Sequence, residues 1–157
     1  MSDAAALWAW AVDAYGRGGV SETCLSLQDR DEQNVPLLLF GAWCALTGRR
    51  LDDEAVDAAC DVARVWDEKA VGPLRAVRRA LKAPLIDMDA GAREEVRRQV
   101  KAVELEAERR LLEALAGLAG PAGAVRDPLP DLARLSRQWG GPLPRPALAR
   151  LAERLIA

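Results

Sequence analysis

Arg75, Arg78, Arg79 and Lys82 recur at intervals that place four cationic side chains on one flank of a helix, about 100° wide. Such a band can grip phosphate or carboxylate groups, or an acidic protein surface. Glu104 and Glu108 form a like-charged i, i+4 pair that repels itself unless cations lie nearby. If the helices carrying the two sets pack antiparallel, Arg75 or Arg78 reaches those carboxylates. We expect this outcome, with the basic band forming an intramolecular ion-pair network. A second polar group, Gln28, Asp29, Arg30 and Asn34, falls where one expected helix ends and the next begins. It is either a small pocket with Arg30 as anion receptor or helix punctuation, and we expect punctuation, with Asn34 as N-cap.

Other chemistry is excluded by composition. The chain has no histidine, which removes the commonest general base, Ser/His and Cys/His nucleophile pairs, and histidine-containing zinc or iron sites. The same absence disposes of a helical-bundle di-metal site, although Glu94, Glu95 and Glu106 add to the supply of carboxylates. Those acids sit three or four residues from arginines and read as a solvated charged face. Cys24, Cys44 and Cys60 lie among apolar residues with no C-x-x-C spacing, so reduced core thiols are expected. No catalytic set, metal or cofactor is expected. The net charge of −2 offers no general attraction to phosphate backbones, making nucleic acid an unlikely partner. Neither a signal peptide nor an apolar run long enough to span a bilayer is recognisable, which points to a soluble cytoplasmic protein without membrane contact.

These side chains must be held by helices. The expected fold class is all-α, a compact bundle of five or six helices with a Pro/Gly-rich C-terminal tail ending in a short helix. Residues 1–119 read as the helical domain and 120–157 as a tail with one or two short helices packed on it. The uncharged segment from Leu37 to Leu46 is apolar all round and should be the hub of the core. Leu74, Val77 and Leu81 are expected to point inward. So are Val96, Val100, Val103, Ala107, Leu111, Ala114 and Leu118 of a long helix beginning near Ala92. Leu105 and Leu112 project opposite that stripe, giving a second face that the tail, another protein or a second copy could cover. Among five tryptophans, Trp43 and Trp66 are the expected borders of any cleft.

Several stretches together carry a family likeness: Leu7-Trp8-Ala9-Trp10 with Tyr15, Cys24 to Asp29, Val35 to Phe40 with Trp43, Trp66, Pro73-Leu74-Arg75 with Arg78-Arg79, and Glu104 to Glu108. Over about residues 5–118 the chain resembles a bacterial family of short all-helical proteins known only as a domain of unknown function. The resemblance implies a helical fold and no particular activity. The expected role is therefore a non-enzymatic interaction or adaptor protein. The alternative is a binding module or enzyme for a small phosphate- or carboxylate-bearing metabolite, using Arg30, Arg75, Arg78, Arg79 and Lys82.

Overall fold

Four of the helices begin where a short polar side chain takes the place of a missing intrahelical acceptor. In the computed structural model, which describes all 157 residues, the order is α1 (Asp3–Tyr15), α2 (Val20–Asp29), α3 (Val35–Leu46), α4 (Asp53–Trp66), a π turn (Asp67–Val71), α5 (Gly72–Ala80), α6 (Ala90–Ala116), α7 (Leu129–Trp139) and α8 (Arg145–Ile156). Ser2, Asn34, Asp52 and Asp89 accept hydrogen bonds from Ala5, Leu37, Ala55 and Ala92 N–H groups at 2.8 to 3.2 Å. No strand is present. Since α4, the π turn and α5 run without interruption, eight α-helices make seven rods, more than the five or six expected.

The π turn has a local cause. Pro73 has no N–H to give and its ring crowds the turn before it, so the ladder shifts register and the Gly72 N–H reaches back five residues to the Asp67 carbonyl.

In α3, every residue from Val35 to Ala45 is buried, and Phe40, Trp43 and Cys44 lie inside one continuous cluster of 30 buried residues. Gly41 leaves room for a close approach there: a Cβ would sit 2.3 Å from Leu135 Cδ1, so α7 crosses α3 at that position. The chain after Ala119 is part of the same core. Leu132 and Leu135 of α7 and Leu148, Leu151 and Leu155 of α8 are at most 2% exposed. The connection before α7 is also tied down, with Gly123 N–H donating to Thr47 O and Arg126 N–H to Ala45 O. Burying one leucine contributes about 1.5–3 kcal/mol, so these five contribute roughly as much as a whole domain's net stability.

Two expected inward faces turn out otherwise. No residue of α5 is buried, and Val77 is 45% exposed. On α6, Val96 and Val103 are about half exposed and Ala114 is exposed, whereas Ala107 and Leu111 are buried as expected, together with Arg93, Glu104 and Leu115. Arg93, Glu104, Leu111 and Leu115 share a face with Arg97, Val100 and Glu108, which puts polar residues inward along the first half of α6. The physical reason is that α5 presents its arginines, not its leucines, to this helix. The Leu105/Leu112 face is also divided, because Leu112 joins the core at 3% exposure and Leu105 stays outside at 55%.

Candidate functional site

On α5 the three-residue step from Arg75 to Arg78 aims both side chains at α6, which returns antiparallel after the 81–89 connection. Arg75 donates through Nε to Glu104 Oε1 at 3.3 Å and through Nη2 to Glu108 Oε1 at 3.5 Å. Arg78 holds both oxygens of Glu104, a fork-to-fork arrangement whose Nη2–Oε1 contact is 3.2 Å. Glu104 keeps only 8% of its side chain exposed, with Arg75 at 15% and Arg78 at 21%. Each charge in this cluster is thus removed from water only with opposite charges against it.

Arg79, about 40° round the helix from Arg75, donates to Asp29 Oδ1 at the end of α2, where Gln28 Nε2 also donates at 3.3 Å. The structure therefore joins Gln28 and Asp29 to Arg75, Arg78, Arg79, Glu104 and Glu108 in one patch. The other three residues fall outside it. Asn34 is buried and caps α3, accepting from Leu37 N at 3.0 Å, while Arg30 and Lys82 are exposed. Arg93, which carries no signal in the sequence beyond its place in the first turn of α6, is 7% exposed and donates to the carbonyls of Leu81 and Lys82. It thereby satisfies the open C-terminal end of α5.

Burial and neighbouring charges shift the titration of several groups in and around the patch. Burial pushes the Glu108 carboxyl up; Arg75 pulls it back and Glu104 pushes it further. Tyr15, beside the patch, is pushed up to about 12, chiefly by burial and then by the negative groups around it, so its phenol stays protonated. Hydrogen bonding to Glu104 raises the Arg78 guanidinium further. Burial also pushes Cys24 and Cys44 up to about 12 and Cys60 to about 11, the opposite of an activated nucleophile. No group of three or more Cys, Asp or Glu side chains is arranged to hold a metal ion.

A second arginine cluster lies at the other side of α3. Buried Asp131 accepts from Arg126 Nη2 at 2.6 Å and from Arg134 Nη1 at 3.1 Å. Arg126 also donates to Arg49 O, and Arg134 to Asp53 Oδ1 at 2.9 Å. Arg49 in turn lies over the Trp43 ring at 4.2 Å, so that indole belongs to the core rather than to an open cleft. The five- and three-residue spacings of Arg126, Asp131 and Arg134 were the available signal for this cluster, masked by surrounding proline and glycine.

Two grooves border it. One of about 450 Å³ runs between α7 and α8 over Leu129, Leu143 and Leu148, rimmed by Arg134, Arg137 and Arg145. The other, about 550 Å³, is lined by Arg50, Leu51, Asp52, Arg126, Asp131 and Arg134. Neither includes a residue of the α5–α6 patch.

With its arginines turned in, α5 turns its uncharged side out. Ala76, Val77 and Ala80 are exposed and Leu74 and Leu81 half-buried. Because α5 and α6 are antiparallel, the flank of α6 away from the Arg75–Glu108 contact is the one bearing Val96, Val103 and exposed Ala92. Leu85 and Met88 of the connection, 45% and 44% exposed, extend this surface, and Ile86 beside them is almost fully exposed. The hairpin thus has an ionic seam inside and an apolar flank outside, the reverse of an ordinary surface helix.

The model of a family described as "Protein of unknown function (DUF2390)" matches residues 6–115, more than half of the chain, and the protein belongs to that family. No curated protein and no solved structure matches it.

Proposed function

We propose that this DUF2390 protein is a non-enzymatic interaction module of the cytoplasm, with the outward flank of the α5–α6 hairpin as its docking face. The carrying observation is the orientation of α5, whose arginines are spent on Glu104, Glu108 and Asp29 while Val77 and its apolar neighbours meet solvent. Contiguous exposed apolar surface above a few hundred Å² marks interaction sites in folded proteins. Two parallel ridges of small and branched side chains suit a helical partner laid along them. The three free, buried cysteines accord with a reducing compartment, and no helix is long and apolar enough to cross a membrane.

The test is a photoreactive residue placed at Val77 in cells, with exposed Asp57 as control. The reading expects discrete protein adducts from position 77 and none of them from 57. Absence of adducts from 77, or the same adducts from both, would remove it.

A second reading, an anion-binding module, is supported by a different set of residues from the basic band. Arg137 and Arg145 are exposed on the rim of the α7–α8 groove, where no carboxylate is among the lining residues. A phosphorylated or carboxylate ligand with an apolar portion would fit that lining. Thermal-shift titration should then show stabilisation by such a compound that disappears in Arg137→Ala/Arg145→Ala, whereas Lys82→Ala leaves it unchanged.

A further inference from the structure

We infer that the α7–α8 groove binds a phosphate monoester carrying a hydrocarbon tail, with the phosphate clamped between Arg137 and Arg145. This rests on the second reading above and narrows its ligand from any anion with an apolar portion to one head group in one orientation.

The orientation follows from where the lining residues stand along the two helices. Arg137 belongs to the last turn of α7 and Arg145 opens α8, so both lie at the end of the groove where residues 140–144 connect the helices. Leu129 and Ala133 line the groove toward the start of α7, and Leu148 and Ala149 lie a turn further along α8. Charge is therefore concentrated at the connection end, and the apolar lining extends away from it. The groove holds about 450 Å³, more than a phosphate alone requires, and hydrocarbon borders the rest. That surplus is what calls for a tail.

The connection end suits an anion for three reasons. The ion pairs of this region engage Arg126 and Arg134 with Asp131 and Asp53, which leaves Arg137 and Arg145 exposed and without an acidic partner. Helix α8 starts with no side-chain cap and no acid in its first turn, so the positive end of its dipole is uncompensated there. The opposing negative end of α7 is met by Arg64, which donates to Trp139 O at 2.9 Å.

The head group follows from having two donors on separate helices. A carboxylate presents two oxygens in one plane and is matched by the fork of a single guanidinium. A phosphate monoester presents three acceptor oxygens and nearly two negative charges at neutral pH, so it accepts from guanidiniums on both sides at once. Arg134 is a fixed wall of the groove, because both of its terminal nitrogens are held by Leu51 O, Asp131 and Asp53. The same chemistry is offered by a soluble alkyl phosphate and by the head group of phosphatidic acid in a bilayer.

The experiment is isothermal titration of the full-length protein with octyl phosphate, kept below its micelle-forming concentration, against inorganic phosphate, 1-octanol and octanoate. Octyl phosphate should bind, and each of the others, lacking the tail, the charge or the third oxygen, should bind at least about tenfold more weakly. Arg137→Ala and Arg145→Ala should each lower the affinity for octyl phosphate about tenfold and melt with wild type when unliganded, while Lys82→Ala changes neither. Affinity should also fall as pH drops through about 6, where a phosphate monoester loses its second charge. Flotation with phosphatidylcholine vesicles containing phosphatidic acid separates the two sources: recruitment that depends on Arg137 assigns the lipid head group, and no recruitment assigns the soluble ligand. Octanoate binding as tightly as octyl phosphate overturns the head group and leaves the second reading standing. Octyl phosphate binding that survives both arginine substitutions overturns the clamp, and no binding by any of the compounds overturns the inference and the second reading together.

Discussion

At the level of single side chains, Glu104 and Glu108 show how two chemically identical groups in one patch do different work. Glu104 is nearly buried and accepts from both Arg75 and Arg78, so removing it strands two guanidiniums in a poorly hydrated seam. Glu104→Gln should cost about 3 kcal/mol, measured by denaturant unfolding. Glu108 has only Arg75, and burial raises its pKa. A carboxyl that binds its proton more tightly when folded makes folding less favourable as pH rises through its folded pKa. Glu108→Gln should therefore match or exceed wild type in melting temperature at pH 7, with the difference shrinking as pH falls below the ordinary glutamate range. The cysteines supply an independent check. With thiols pushed up to about 11 to 12 and buried, none of the three should be alkylated at neutral pH in the native protein, and all three should react after unfolding, as read by intact mass.

At the level of elements, helix positions were legible in the sequence because they are set by local chemistry. Ser2, Asn34 and Asp52 begin helices where their spacing says they should, and the all-apolar run of α3 became the buried hub. What remained illegible was which side of an amphipathic helix faces in. The Leu74/Val77/Leu81 stripe and the Arg75/Arg78/Arg79 stripe are equally regular, and periodicity alone cannot rank them. The decision was made by α6, whose Glu104 and Glu108 could be ionised at that depth only beside arginines. For the same reason the Val96/Val103 stripe of α6 went outward, while the Arg75–Glu104 contact itself could be anticipated from the like-charged pair. The connection after α6 can be tested through Gly48, which has φ +72° and whose Cβ would meet the Gly123 backbone at 2.1 Å. Gly48→Ala should cost about 1–3 kcal/mol, more than an alanine at exposed Gly18, where a Cβ meets nothing within 4 Å.

At the level of the whole molecule, proline and glycine content made the last quarter of the chain look peripheral, whereas its leucine spacing carried the correct information. Leu132 and Leu135, then Leu148, Leu151 and Leu155, are interior residues of the same cluster as Phe40 and Leu111. A chain ending at Ala119 should therefore lose its cooperative thermal transition, even though it contains the entire family match. The interior is thus built by both ends of the chain, and the hairpin of α5 and α6 is the part left facing outward with apolar residues. That inverted hairpin is the central claim, and it is tested most directly by thermal unfolding of Val77→Glu and Arg78→Leu in dilute solution. The account predicts that Val77→Glu melts with wild type, while Arg78→Leu loses about 2 kcal/mol, a fall of several degrees at this size. A stable Arg78→Leu with a strongly destabilised Val77→Glu would mean that α5 turns its apolar side to the core, and the docking face would not exist.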